Sequence, residues 1–98
     1  MLHHSVFFRF KEGPSEQESS QFLAAAKQLA YIPGVLHFIC LRQTGTKNNF
    51  THGLAMQFAQ EEDYAAYTIH SAHQQFITDS WIPRVADFLE IDYTVLPG

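Results

Sequence analysis

Tyr67, His70 and His73 stand together in the run YTIHSAHQQF, residues 67–76 of a 98-residue chain. A phenol and two imidazoles in so short a stretch fit three kinds of chemistry: metal ligation, proton transfer, or no chemistry beyond ending a helix. A neutral imidazole, with a reference pKa of about 6.5, can take a proton from an acidic carbon near pH 7. A tyrosine hydroxyl can hydrogen-bond a carbonyl oxygen and stabilise the enolate that forms. Neither step needs a cofactor. Three neutral imidazoles could instead bind zinc. No His-Glu-x-x-His run accompanies these residues, so metal binding is the least favoured of the three and no metal is expected. In the third case the polar groups satisfy one another and a tyrosine ring packs without any substrate.

Composition narrows the class. Ninety-eight residues suffice for one domain, taken as 1–98, and a hydrophobic fraction of 46% with nine Phe supports a core. The net charge is −4 and the six Lys and Arg are scattered, which argues against nucleic-acid binding. No apolar run approaches the roughly 18 residues of a membrane span. The start, MLHHSVFFRFK, alternates and lacks the basic region and cleavage site of a signal peptide. Cys40 is the only cysteine, so no internal disulfide forms. A reducing, cytoplasmic setting fits best, with Cys40 a packing residue.

The elements that must position these groups follow from periodicity. Residues 2–10 alternate as a strand. Ser15 with Glu18 reads as a capping box opening a helix through Phe22, Leu23, Ala26, Leu29 and Ala30, stopped by Pro33-Gly34. Residues 35–44 and 50–59 read as strands around a polar turn, 45–49. A second helix starts near Glu61-Glu62 and carries Tyr64, Tyr67 and Ile69. HSAH interrupts it, giving His70 a capping or loop role. A further helical piece with Phe76, Ile77 and Trp81 runs to about Val85, and 88–96 is the last strand. The order βαββαβ predicts an α+β, ferredoxin-like sheet of strand order 4-1-3-2 with both helices on one face. Taking strands 1 and 3 as parallel neighbours, the even positions of both face the helices. His4 and His52 then meet at one edge, with Asp92 on the returning strand 4 and Tyr67 and His73 at the end of the second helix. The odd positions Leu89, Ile91, Tyr93 and Val95, with Phe7, form an uncovered apolar face. A homodimer pairing two such sheets covers it.

LHHSVFFRFKEG, IPGV, FTHGLAMQF, YTIHSAHQQF and IDYTV, in this order and spacing, resemble the stress-responsive A/B barrel (Dabb) family over nearly the whole chain. The resemblance implies a dimeric α+β barrel. Some members of the family are stress-induced proteins without assigned chemistry. Others are plant polyketide cyclases that condense a linear polyketide without metal or organic cofactor. Their catalytic tyrosine and histidine match Tyr67 and His73, and His4, His52 and Asp92 match polar positions around the pocket. Phe22 and Trp81 are expected in the core and secondarily as pocket wall. Two positions depart from the pattern. Ser71 replaces the proline of His-Pro-Ala-His, where a local backbone hydrogen bond could hold the turn. Glu90 stands where a hydrocarbon pocket would carry an apolar residue. The expectation is thus a small dimer with a His/Tyr-lined pocket that binds a small organic molecule and acts by cyclase-like acid–base chemistry. The alternative is a stress-response or structural dimer without activity.

Overall fold

A computed structural model describes every residue from Met1 to Gly98. Strand β1 spans Leu2–Phe10 and helix α1 spans Glu16–Lys27. The Ser15 hydroxyl accepts from the Glu18 N–H at 3.1 Å, and the Glu18 carboxylate accepts from the Ser15 N–H at 3.4 Å, so the capping box is formed. A tighter 3₁₀ turn, Gln28–Tyr31, ends this helix, and Gly34 at φ +92° turns the chain into β2, Leu36–Arg42. β3 is His52–Phe58, α2 is Glu61–Ile69 and α3 is Ser71–Phe76. A wide π-helical turn, Ile77–Trp81, and a single turn, Ile82–Arg84, lead into β4, Val85–Tyr93. The last strand therefore starts three residues before the expected 88, and Val95 lies beyond its end.

The sheet order is β2-β3-β1-β4, the predicted ferredoxin-like order. Every neighbouring pair is antiparallel, including β1 with β3. The expected parallel pairing of strands 1 and 3 is thus incorrect. The helical crossovers join β1 to β2 and β3 to β4, and each passes over one intervening strand. Right-handedness constrains those separated pairs, not β1 against β3. Face assignments survive the correction, because Leu2 pairs with Phe58 and Phe8 with His52, so even positions still share a face. The ends do not survive it: His4 lies opposite Met56, and His52 lies four pairs further along, opposite Phe8.

The inner face carries the core. Phe8 and Phe58 are fully buried, with Val6, Leu54 and Met56 beside them and Phe22, Ala26 and Phe76 above. On the outer face Leu89, Ile91 and Tyr93 are each more than 40% exposed. Phe7 lies across Gly53, where an added Cβ would come within 2.8 Å of the ring.

Candidate functional site

His4 is the anchor of the inner face, and only 5% of its surface is exposed. Antiparallel pairing sets it directly opposite Asp92 on β4. Its Nδ1–H donates to Asp92 Oδ1 at 2.5 Å. Tyr64, on α2, donates its hydroxyl to Asp92 Oδ2 at 3.0 Å and lies 3.2 Å from His4 Nδ1. A carboxylate only accepts, so the His4 proton sits on Nδ1 and the Nε2 lone pair is presented elsewhere. Nε2 is 3.8 Å from Glu90 Oε1, two residues along the same face of β4.

Tyr67 and His73 reach this point from the helices. Tyr67, at the buried face of α2, is 3% exposed and its ring lies 6.3 Å from that of His4. The break between α2 and α3 folds His73 back onto Tyr67, with ring centroids 4.5 Å apart. His73 Nδ1–H donates to the Thr68 carbonyl at 3.1 Å, which leaves Nε2 as the basic nitrogen. His70 makes the break. Its backbone is extended, and its ring nitrogen accepts the Ala72 N–H at 3.0 Å, capping α3. The ring of His70, rather than the Ser71 hydroxyl, therefore holds the turn in place of the missing proline.

These groups enclose a cavity of about 50 Å³ lined by His4, Tyr67, His73, Trp81, Phe76, Ile77 and Glu90, with Val6, Leu29, Leu54 and Met56 as its floor. Burial pushes the His73 imidazole below its ordinary value, aided by nearby His4; the Thr68 carbonyl and Glu90 oppose the shift. Burial and then the Glu90 charge push the Tyr67 phenol up. The two environments leave a neutral imidazole beside a protonated phenol at neutral pH, a base and a hydrogen-bond donor side by side. Tyr64 is also pushed up, by burial and by its bond to Asp92.

Sequence reasoning places His4, Tyr67, His73, Trp81 and Asp92 around one pocket; the structure puts the first four on the cavity lining and Asp92 behind His4, outside that lining. Phe22 is one layer back, packing on Phe76 at 5.4 Å and on Trp81 at 6.1 Å. His52 does not belong to the site. It stacks on Phe8 at 5.9 Å and meets Phe10 at 5.1 Å, and it borders a separate polar hollow with Arg42 and the 43–51 loop. Its misplacement follows from the direction of β3. Sequence reasoning puts Glu90 on the pocket face without giving it a role, and it reads Tyr64 only as part of the apolar side of α2. The three-residue step from Tyr64 to Tyr67 is the signal that could have found Tyr64. No group of three or more His, Cys, Asp or Glu is arranged to hold a metal ion. The thiol of Cys40 is pushed up by burial, which suits a packing residue. No helix is long and apolar enough to cross a membrane.

This geometry belongs to a recognised class. Residues 2–95 match the family profile of the stress responsive A/B barrel domain, and the chain is a member of that Dabb family. A curated relative, a stress-response A/B barrel domain-containing protein of Arabidopsis thaliana, is 26% identical over 102 residues. All of this chain is covered, but the chain spans only 39% of that relative's length. Among solved structures, a Dabb family protein with a ferredoxin-like fold from Mesorhizobium loti superposes with a TM-score of 0.93 at 40% identity, covering 98% of this chain and 97% of that one. A hydroxynitrile lyase from Passiflora edulis shares the fold at a TM-score of 0.88 and 19% identity, covering 99% and 94%. A protein of unknown function from Thermobifida fusca, described as dimeric and ferredoxin-like, does so at 0.82 and 20%, covering 96% and 90%.

Proposed function

We propose that this Dabb domain binds a small organic molecule in the cavity between sheet and helices and acts on it by cofactor-independent acid–base chemistry. The observation that carries the reading is the pairing of His73 Nε2, free because Nδ1–H is held by Thr68, with the phenol of Tyr67 in a cavity that also receives His4. His73 takes a proton from the carbon next to a carbonyl. Tyr67 donates a hydrogen bond to the oxygen that becomes the enolate, and His4, its tautomer set by Asp92, orients the substrate. The size of the cavity selects the ligand. At about 50 Å³ it is far below the roughly 300–1,000 Å³ of a drug-sized site, so a compact carbonyl compound suits it better than an extended polyketide. The Passiflora neighbour, by its name a lyase, supports the capacity of this fold for such chemistry.

The assembly proposed is a homodimer through the outer sheet face, with Phe7, Leu89, Ile91 and Tyr93 at its centre and Val95 following the strand. The dimeric description of the Thermobifida neighbour supports it. The single free cysteine suits a cytoplasmic setting.

The test is exchange of the carbon-bound protons of hydroxyacetone in heavy water, followed by proton NMR. His73→Ala and Tyr67→Phe should each slow the protein-catalysed exchange by about 10²-fold or more while circular dichroism stays that of the folded protein. Wild-type protein no faster than buffer would favour the other reading, a structural stress-response dimer in which His4 is satisfied by Asp92 and Tyr64 and does no chemistry.

A further inference from the structure

We infer that the cavity selects substrates that carry a positive charge, a protonated amine next to the carbonyl, and that Glu90 is the residue that recognises it. This deepens the acid–base reading above and rests on that site.

The lining of the cavity holds one carboxylate, Glu90, and neither lysine nor arginine. Asp92 stands behind His4 and is engaged by His4 and Tyr64. Of the basic side chains around β1 and the helix ends, Arg9 pairs in register with Asp87 rather than Glu90, and Lys11 and Arg84 are engaged elsewhere. Arg84 pairs with Glu18 at 2.9 Å, and Lys11 donates to the Ile82 carbonyl at 3.1 Å. Glu90 therefore has no fixed counter-charge other than His4, whose Nε2 is 3.8 Å away and is charged only when protonated. Its side chain is 52% exposed, which puts the carboxylate at the mouth, where the polar end of a ligand would remain.

The rest of the wall is suited to a cation as well. Tyr67, Phe76 and Trp81 surround the same space. Aromatic faces attract ammonium groups within about 6 Å of the ring centre. The chemistry points the same way. When His73 Nε2 removes the proton, the C–H electron pair passes into an enolate whose oxygen accepts from Tyr67. That negative charge would develop close to the Glu90 carboxylate. A substrate that already bears a carboxylate makes the repulsion worse, and one that bears an ammonium group offsets both charges. The proton held on His73 returns to carbon or to the product, so no oxidant, reductant or metal is required.

Trp81 is the only tryptophan of the chain and lines the cavity, so its fluorescence reports occupancy directly. Three probes of nearly equal size separate the charge types: aminoacetone, hydroxyacetone and pyruvate, titrated at pH 7. Wild-type protein should bind aminoacetone about tenfold more tightly than hydroxyacetone, and pyruvate most weakly. Glu90→Gln should bring the aminoacetone-to-hydroxyacetone ratio close to one, and Glu90→Lys should invert the order in favour of pyruvate. Binding of hydroxyacetone with no preference for aminoacetone, or a preference that survives Glu90→Gln, overturns the role of Glu90 and leaves the site standing. Failure of all three probes to bind the wild-type protein overturns both the charge selection and the site.

Discussion

At the scale of single residues, two pairs define the candidate site. His4 and Asp92 face each other across β1 and β4, and the carboxylate fixes which imidazole nitrogen keeps its proton. Tyr67 and His73 come together across a helix break, and burial moves their proton affinities in opposite directions. The lowered value of His73 has a sign that can be checked. Its folded pKa lies below the unfolded value near 6.5, so the unfolded chain binds more protons in acid. The contribution of His73 to stability is therefore complete above about pH 6.5 and is lost as pH falls through the folded value. His52, lowered by burial and then by Arg42, acts in the same direction. Denaturant melts at pH 7.5 and pH 5.0 should show a lower midpoint at pH 5.0, and His73→Gln should reduce that difference. The exchange rate proposed above should hold down to below pH 6.5 and then fall, because the neutral base persists further into acid than an exposed histidine would. The residue types in YTIHSAHQQF make the candidates visible in the sequence, but their spacing alone leaves three chemistries open, and it is the family resemblance that singles out Tyr67 and His73. The pocket-facing position of Glu90 is legible there too, but its approach to His4, like the bond of Tyr64 to Asp92, depends on residues far away in the chain.

At the scale of elements, the helix signals in the sequence are local, and the structure matches them. Ser15 and Glu18 close a capping box, Pro33-Gly34 follows the stop, and HSAH breaks α2 from α3. Strand direction is a different kind of quantity. Alternation along residues 2–10 and 50–59 says which side chains share a face, and it reads the same in either direction. A parallel reading of strands 1 and 3 thus keeps the correct face and the wrong end, which carries His52 into a site it does not occupy. The outer face gives an element-scale prediction. Gly53 leaves room for the Phe7 ring, and a Cβ there would sit 2.8 Å from ring carbon Cδ1 and 3.3 Å from the Val6 carbonyl oxygen. Gly53→Ala should destabilise the protein by about 1–3 kcal/mol, the usual cost of overpacking, and lower the thermal midpoint by several degrees. An unchanged melt would mean that Phe7 moves aside freely.

At the scale of the whole molecule, the fold has one covered sheet face and one bare one. The covered face holds the core and the cavity, and the bare one presents Leu89, Ile91 and Tyr93 to solvent in the isolated chain. If two copies meet there, a charge at the centre should separate them. Ile91→Asp is expected to shift sedimentation from dimer to monomer with the circular dichroism of the folded chain retained, since Ile91 contributes nothing to the buried inner core. A variant that still sediments as a dimer would move the interface elsewhere. The sequence by itself determined the element order, the two faces of each strand, the helix caps and the Tyr67–His73 motif, because each depends on neighbours within a turn or a few residues. Only the tertiary structure decided which ends meet. Antiparallel pairing of β1 with both β3 and β4 set His4 against Asp92, brought Glu90 to the mouth of the cavity and left His52 among the rings of Phe8 and Phe10. The physical reason is that direction and register come from long-range backbone pairing, and no local pattern of residues encodes the partner strand.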